Sequence, residues 1–369
     1  MSVSSSPIRV GLIGVGNWAL RGHLPVLNLL PEYRVTAVQS RRREVAEQAA
    51  RLFDIPHVLD SAEEVAAHPE VDLVLVLTTA PQHEAGIRAA LAAGKHVYSE
   101  WPLTTDTGTS DRLMRLADAH GLRHAVGLQR RLMPVVRFTR DLIGKGYVGK
   151  LRSVRMHVSM NYFQARRSQA LRWTAPPENF SSVMAIYGGH FLDMLFAMTG
   201  FPLSISGMAV NQFRQVTIAE TGEVIPTTAP DQLVLTGLLP GDAVLSAHIE
   251  GGKRNGSGVQ IDITGDRGDL RLTNRSAFGD VGDDYVLEGA HGDNLPLTVL
   301  AVPGDYDWLP ASNLPSSVLE LGNLFAALAR DLQSGGQEAP SFADGVRMHR
   351  LMDGIVQSSA AGRQVAVAS

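Results

Sequence analysis

The segment Gly14-Val-Gly16-Asn17-Trp18-Ala19 has the spacing G-x-G-x-x-A. It follows a short apolar run, Ile8–Ile13, and opens a stretch with helical spacing at Leu24, Val26, Leu27 and Leu30. In that context the first glycine makes a tight turn and the second lets the backbone approach a pyrophosphate. The alanine lets helix and strand pack closely. Free N–H groups at the helix start then hold the diphosphate. A turn that holds nothing is the plain alternative. The next strand, Val35–Val38, should end on the residue that meets the adenosine ribose. It runs into Gln39-Ser40-Arg41-Arg42-Arg43, without a carboxylate. A carboxylate would repel a 2′-phosphate, whereas arginine pairs with one bidentately. Ser40, Arg41 and Arg42 are therefore the expected contacts, and NADP is favoured over NAD. A solvated helix start is the other reading of these arginines.

Composition limits what else the chain can do. Its 369 residues contain no cysteine, which excludes disulfides, thiolate nucleophiles and thiolate metal sites. Chemistry must run on oxygen, nitrogen or a bound cofactor. The net charge of −4 and pI near 6.3 argue against a nucleic-acid module carried by bulk charge. With 44% apolar and 19% charged residues the chain reads as globular. No unbroken apolar run reaches 18 residues, so no bilayer span is expected. Nothing before Ile8 resembles a signal peptide, and a cytoplasmic location is the expectation.

The elements that must position these residues follow from periodicity. Apolar runs at 8–13, 35–38, 71–77 and 95–99 alternate with helical patterns at 43–53 and 82–93. That alternation predicts βαβ units and a parallel sheet with right-handed crossovers. After about residue 127 the texture changes. A helical pattern at 133–143 precedes period-two stretches at 151–160, 204–210, 232–239, 243–249 and 259–264. Helical patterns at 318–333 and 342–361 close the chain, and 251–258 and 279–294 read as Gly/Asp/Asn-rich loops. The expected fold is α/β. A Rossmann domain over 1–127 has a parallel sheet. A C-terminal α+β domain over 128–369 has a large, mostly antiparallel open sheet.

Several segments, in order along nearly the whole chain, resemble the Gfo/Idh/MocA oxidoreductase family. They are Gly11–Ala19, Thr79-Ala-Pro-Gln-His83, Ala93-Gly-Lys-His-Val-Tyr-Ser-Glu100, Gln129-Arg-Arg-Leu-Met-Pro134, Gly146-Tyr-Val-Gly149 and Ser358–Gly362. The resemblance implies a Rossmann domain that binds NAD(P) and a second domain whose open sheet often carries an oligomer interface. It places Asn17, Trp18, Thr79, His83 and Glu100 near the cofactor. The chain is similar in particular to the branch of the fungal galactose-regulon repressor. That likeness rests on Asn17-Trp18-Ala19, Glu100-Trp101, Gly189-His-Phe-Leu-Asp193, Pro230-Asp231 and Gly251-Gly-Lys253.

Two positions depart from the family pattern. Trp101 stands where a catalytic lysine is expected, and Ile186 where an aspartate precedes the second-domain histidine. Hydride transfer at a hydroxyl-bearing carbon needs an accompanying proton transfer, worth roughly 10²–10⁴ in rate. Indole only donates, so Trp101 either seals the nicotinamide pocket or packs structurally. His190 is the leading acid/base, and Tyr187, one helical turn earlier, is the alternative donor. Both could equally be packing residues. Arg130 and Asp193 are expected in the substrate pocket, with Arg131 as a surface ion-pair residue. His190 and Asp193 are too few to hold a metal, and none is expected. Glu100 either orients the pocket or faces solvent.

Three functions follow as expectations. The first is an NAD(P)-dependent dehydrogenase or reductase of a sugar-like or polyol substrate. The second is a dinucleotide-binding regulator that works through a protein partner. The third is a redox-neutral enzyme that keeps its cofactor. A homodimer or homotetramer is expected in each case, with no direct nucleic-acid or membrane partner.

Overall fold

The computed structural model describes residues 6–256, 258–277 and 284–367. The chain divides into two compact units. One holds residues up to Gln129 plus Trp308–Leu314 and Val318–Val346; the other holds Arg130–Asp307, Pro315–Ser317 and Arg347 onward.

In the first unit the apolar runs become β1 (Ile8–Ile13), β2 (Tyr33–Gln39), β3 (His57–Val58), β4 (Leu73–Val76), β5 (His96–Ser99) and β6 (His124–Val126). They form one parallel sheet in the order β3-β2-β1-β4-β5-β6. The order reverses at β1, the switch point where such sheets bind ligands. Strands buried on both faces need continuous apolar runs, and Leu73, Val74, Leu75 and Val76 are all fully buried. The crossovers carry α1 (Leu24–Leu29), α2 (Arg43–Phe53), α3 (Ala62–Ala67), α4 (Ala80–Ala92) and α5 (Thr107–Ala119). A π turn, Ala19–His23, leads into α1.

The second unit opens with α6 (Pro134–Gly144) and β7 (Leu151–Ser159). Short strands β8 (Arg166–Arg167), β10 (Gln215–Ile218) and β11 (Val224–Pro226) make a small separate sheet. A second π turn, Val183–Gly188, leads into α7 (Gly189–Thr199). Strands β9 (Ser204–Val210), β12 (Gln232–Leu238), β13 (Val244–Glu250), β14 (Gly258–Gly265), β15 (Gly268–Asn274), β16 (Val286–His291), β17 (Thr298–Val299) and β18 (Val365–Ala366) join β7. The nine strands run β17-β16-β15-β14-β7-β13-β12-β9-β18, and β7 with β13 is the parallel pair among antiparallel neighbours. The expected α/β fold, with a Rossmann sheet and a mostly antiparallel second sheet, is what the chain adopts. Two long helices close it, α8 (Ser316–Ser334) and α9 (Phe342–Ala361).

Two expectations are corrected. The segment 279–294 was expected to be a loop, but it contains β16, which pairs with β15; residues 279–283 lie outside the described residues. Its glycine misleads: a Cβ at Gly289 would stand 2.7 Å from a Leu300 methyl and 2.9 Å from one of Leu270, so close packing, not a turn, demands glycine there. The helical stretch Pro177–Thr199 is long and apolar enough by composition to cross a bilayer. Its most apolar window is 72% buried in the protein, as in a core helix. Finally, residues 128–369 were expected to form one domain, yet most of α8 and the first turn of α9 belong to the first unit.

Candidate functional site

The first unit builds a dinucleotide cradle at the end of β1. Gly14 has φ +92°, and a Cβ there would lie 2.8 Å from the Thr78 methyl and 3.1 Å from its backbone nitrogen. Only glycine fits that left-handed corner. Its N–H donates to the Gln39 carbonyl at 2.9 Å, which ties the turn to the end of β2. Gly16 differs: a Cβ there meets nothing within 4 Å, so the space over the turn is open to a ligand. Asn17 and Trp18 follow on the exposed helix start. The Trp18 ring lies across Gly22, where a Cβ would come within 3.1 Å of it. Across the turn, Thr78 Oγ1 is buried and makes no hydrogen bond among the described residues, and exposed Thr79 precedes α4. An orphaned hydroxyl beside an open glycine turn fits a polar ligand group.

At the end of β2, Ser40 is half-buried, and Arg41 and Arg42 are exposed. Arg43 is committed to Glu47 and Asp60, whereas Arg41 and Arg42 form no ion pair among the described residues.

His83 and Glu100 sit deeper. The His83 ring is fully buried, with Nδ1 2.9 Å from the Pro102 carbonyl and Nε2 2.9 Å from the Thr78 carbonyl. Burial pushes its pKa below the ordinary imidazole value, although the carbonyls favour the charged form. It braces two loops of this unit from within. Glu100 Oε1 accepts from Tyr98 OH and pairs with His23 Nε2, each at 2.6 Å. Both partners are fully buried. Burial, with Glu100 adding to it, raises the Tyr98 phenol well above its usual pKa, so it remains a donor. His23, Tyr98 and Phe325 pack ring against ring at 5.1–6.0 Å. Glu100 is thus a supported carboxylate, its side chain 18% exposed, and not a solvent-facing one. His23, Tyr98 and Phe325 were not read as site residues. The one hint is a histidine inside the apolar spacing of the first helix. Trp101 is buried, 4% exposed, just after this network.

In the second unit, Ser182 Oγ caps the π turn by accepting from Ala185 N–H at 3.0 Å. The turn presents Tyr187, and α7 begins with Gly189 and a partly exposed His190. The Tyr187 ring meets Phe163 edge-on at 5.3 Å. Burial, chiefly, raises its phenol far above the usual range, although Arg130 and Arg167 pull it down. Tyr187 therefore keeps its proton. The nearby cations are occupied. Arg130 is buried, donates to the Ala277 carbonyl at 2.8 Å and lies over the Phe191 ring at 4.3 Å. Arg131 grips Asp193 with two donors, one of them Nε to Oδ2 at 2.8 Å. Asp193 is buried, so this is an interior pair and not the surface contact expected of Arg131. Ile186, half-buried, precedes Tyr187 in the π turn.

Comparison with known proteins agrees with this geometry. Residues 8–128 match the model of the GFO_IDH_MocA oxidoreductase family, NAD-binding Rossmann fold. Residues 134–274 match the Gal80p C-terminal domain. The chain is 24% identical over 318 residues to the galactose/lactose metabolism regulatory protein GAL80 of Saccharomyces cerevisiae, covering 80% of this chain and 73% of that one. It is also 24% identical over 371 residues to scyllo-inositol 2-dehydrogenase (NADP(+)) IolW of Bacillus subtilis, covering 97% and 95%. A solved levoglucosan dehydrogenase, in complex with NADH and L-sorbose, superposes with TM-score 0.87 at 19% identity, covering 99% of this chain and all of that one.

Proposed function

The chain belongs to the Gfo/Idh/MocA family of NAD-binding oxidoreductases, and from that premise we propose that it is a dehydrogenase or reductase of a neutral, sugar-like or polyol substrate, with NADP(H) as the preferred cofactor. The observation that carries the cofactor reading is the open Gly16 turn beside the uncommitted Arg41 and Arg42. Asn17, Trp18, Ser40, Thr79 and Glu100 complete the set that would hold it. His83 supports that set from within.

Bound cofactor supplies or takes the hydride; the proton is left to side chains. His190 takes a hydroxyl proton on oxidation and returns it on reduction. Tyr187, held protonated, donates to the substrate oxygen and orients it. Arg130 and Asp193 shape the pocket while committed elsewhere, so neither selects an anion. A neutral polyhydroxylated ligand fits such a lining. Trp101, in the lysine's place, is an indole that only donates and so takes no proton. The test is NADPH oxidation and NADP reduction over a panel of ketoses, aldoses, inositols and anhydro-sugars. Turnover with at least one, faster with NADP(H) than NAD(H), is expected. Tight NADPH binding with no turnover over the whole panel would contradict it.

That contrary outcome is what a second reading predicts. Trp101 and Ile186 replace two catalytic side chains, and the second unit matches the Gal80p C-terminal domain. Both favour a dinucleotide-binding regulator that acts through a protein partner. In either reading the chain is a homodimer or homotetramer. Met208, Leu238, Val244 and Val286 are exposed apolar side chains on β9, β12, β13 and β16, which supports an interface on the large sheet. Sedimentation would measure its size.

A further inference from the structure

A cluster at the β3 edge of the Rossmann sheet is made of residues that the proposed function does not use. His57 opens the edge strand β3, level with Ala37 of β2. His68 ends α3, and Glu70 lies in the turn that leads into β4. These positions enter their strands, whereas the glycine turn and Arg41 follow the strands' C-terminal ends. One donor atom from each of the three side chains lies within 4.8 Å of the others. The two imidazole centroids are 4.3 Å apart, and His57 Nε2 is 2.8 Å from Glu70 Oε2.

We propose that His57, His68 and Glu70 form a binding site for a first-row divalent cation, of which Zn²⁺ is the representative. Two imidazoles and one carboxylate are a donor set that such ions take, with the remaining positions left to water. In tetrahedral zinc sites the donor atoms stand about 3.3 Å apart. Against the 4.8 Å bound, that leaves at most about 1.5 Å for side-chain rotation to close. The hydrogen bond between His57 and Glu70 is exchanged for two bonds to the metal.

The backbone under the cluster is held already. His68 N–H donates to the Val65 carbonyl at 3.3 Å, and Val71 N–H to the His68 carbonyl at 3.1 Å. Lys95 Nζ donates to the Val71 carbonyl at 2.7 Å, and Thr36 Oγ1 to that of Glu70 at 2.5 Å. Glu70 N–H donates to His68 Nδ1 at 3.2 Å; an imidazole that ligates through one nitrogen carries its proton on the other, so this contact too is exchanged when metal binds. All three side chains remain open to solvent to some degree, so an ion has access. Bound metal would clip the two-residue edge strand to the loop before β4. Its effect is to stabilise this unit without touching cofactor ligands.

The test uses the full chain, free of any affinity tag and stripped with chelator. Calorimetric titration with ZnCl₂ should give one site per chain, and Co²⁺ should give visible absorption of a nitrogen/oxygen-ligated ion. H57A/H68A should weaken Zn²⁺ binding by at least roughly tenfold, and E70Q by less. H157A/H248A, which removes a separate surface pair, should leave it unchanged. Zn²⁺ should raise the melting temperature of the parent chain but not of H57A/H68A, whose circular dichroism checks its fold. Equal affinity for the parent and H57A/H68A, or no binding by the parent, would overturn the assignment. So would loss of the site on H157A/H248A.

Discussion

Glu100 in the first unit and Asp193 in the second are both acidic residues held by close side-chain donors, but they end in opposite conditions. Glu100 receives a phenol and an imidazole and reaches the surface of its unit. Asp193 is gripped by a guanidinium and closed off. The cations show the same contrast. Arg41 and Arg42 in the first unit are exposed and uncommitted, while Arg130 and Arg131 in the second are consumed by a carbonyl, a ring and Asp193. Each half contains a π turn, a local irregularity that often marks functional sites. The contrast teaches that the first half has exposed cations, whereas the cations of the second are already engaged, which is what the proposed function needs. That suits an anionic dinucleotide on one side and an uncharged polyol on the other.

The sharpest way to break this comparison is His190→Ala. If His190 carries the proton, kcat should fall by roughly 10²–10⁴ with NADPH affinity unchanged, a barrier increase of about 2.7–5.4 kcal/mol. Steady-state kinetics with a calorimetric binding check decides it. Asp193→Ala should be nearly as large but in stability: it strands Arg131 and costs about 3 kcal/mol, read by denaturant unfolding. A smaller loss would mean that the pair is looser than its burial suggests. The double substitution Arg41→Ala/Arg42→Ala should weaken NADPH binding by about 1.5–3 kcal/mol and leave NADH binding as it was. Equal loss for both cofactors would remove the 2′-phosphate reading. Tyr98→Phe deletes one donor to Glu100 and should cost about 1 kcal/mol of stability, again by unfolding.

The smallest effect concerns pH. His83 has a folded pKa below its unfolded one, so the unfolded chain binds the proton more readily. Its contribution to stability is complete above the usual histidine value and is lost as pH falls through that value toward the lower folded one. Melting between pH 7.5 and 5 should therefore fall less steeply for His83→Gln than for the parent chain.

The sequence made some of this legible and hid the rest for a physical reason. The Gly14–Ala19 turn and the arginines after β2 were readable because each lies within a few residues of a strand end. The elements over 43–53, 204–210 and 342–361 were readable because their periodicity is unbroken. The supports were not. His23 and Glu100 are 77 residues apart, and Arg131 and Asp193 are 62 apart, so tertiary folding alone pairs them. Strand β16 was missed because Gly289 and flanking acidic residues mimic a turn. The return of most of α8 to the first unit leaves no local signal at all, since an amphipathic helix does not state which sheet it covers.

The central claim is that this chain moves a hydride although tryptophan stands in the lysine's place. Incubating it with NADPH deuterated at the reactive nicotinamide carbon, together with the carbonyl sugar panel, tests this directly by mass spectrometry of the sugars. The account predicts deuterium in one polyol product, formed at least about 100-fold more slowly by His190→Ala. NADPH that binds tightly and leaves every sugar unlabelled would contradict it.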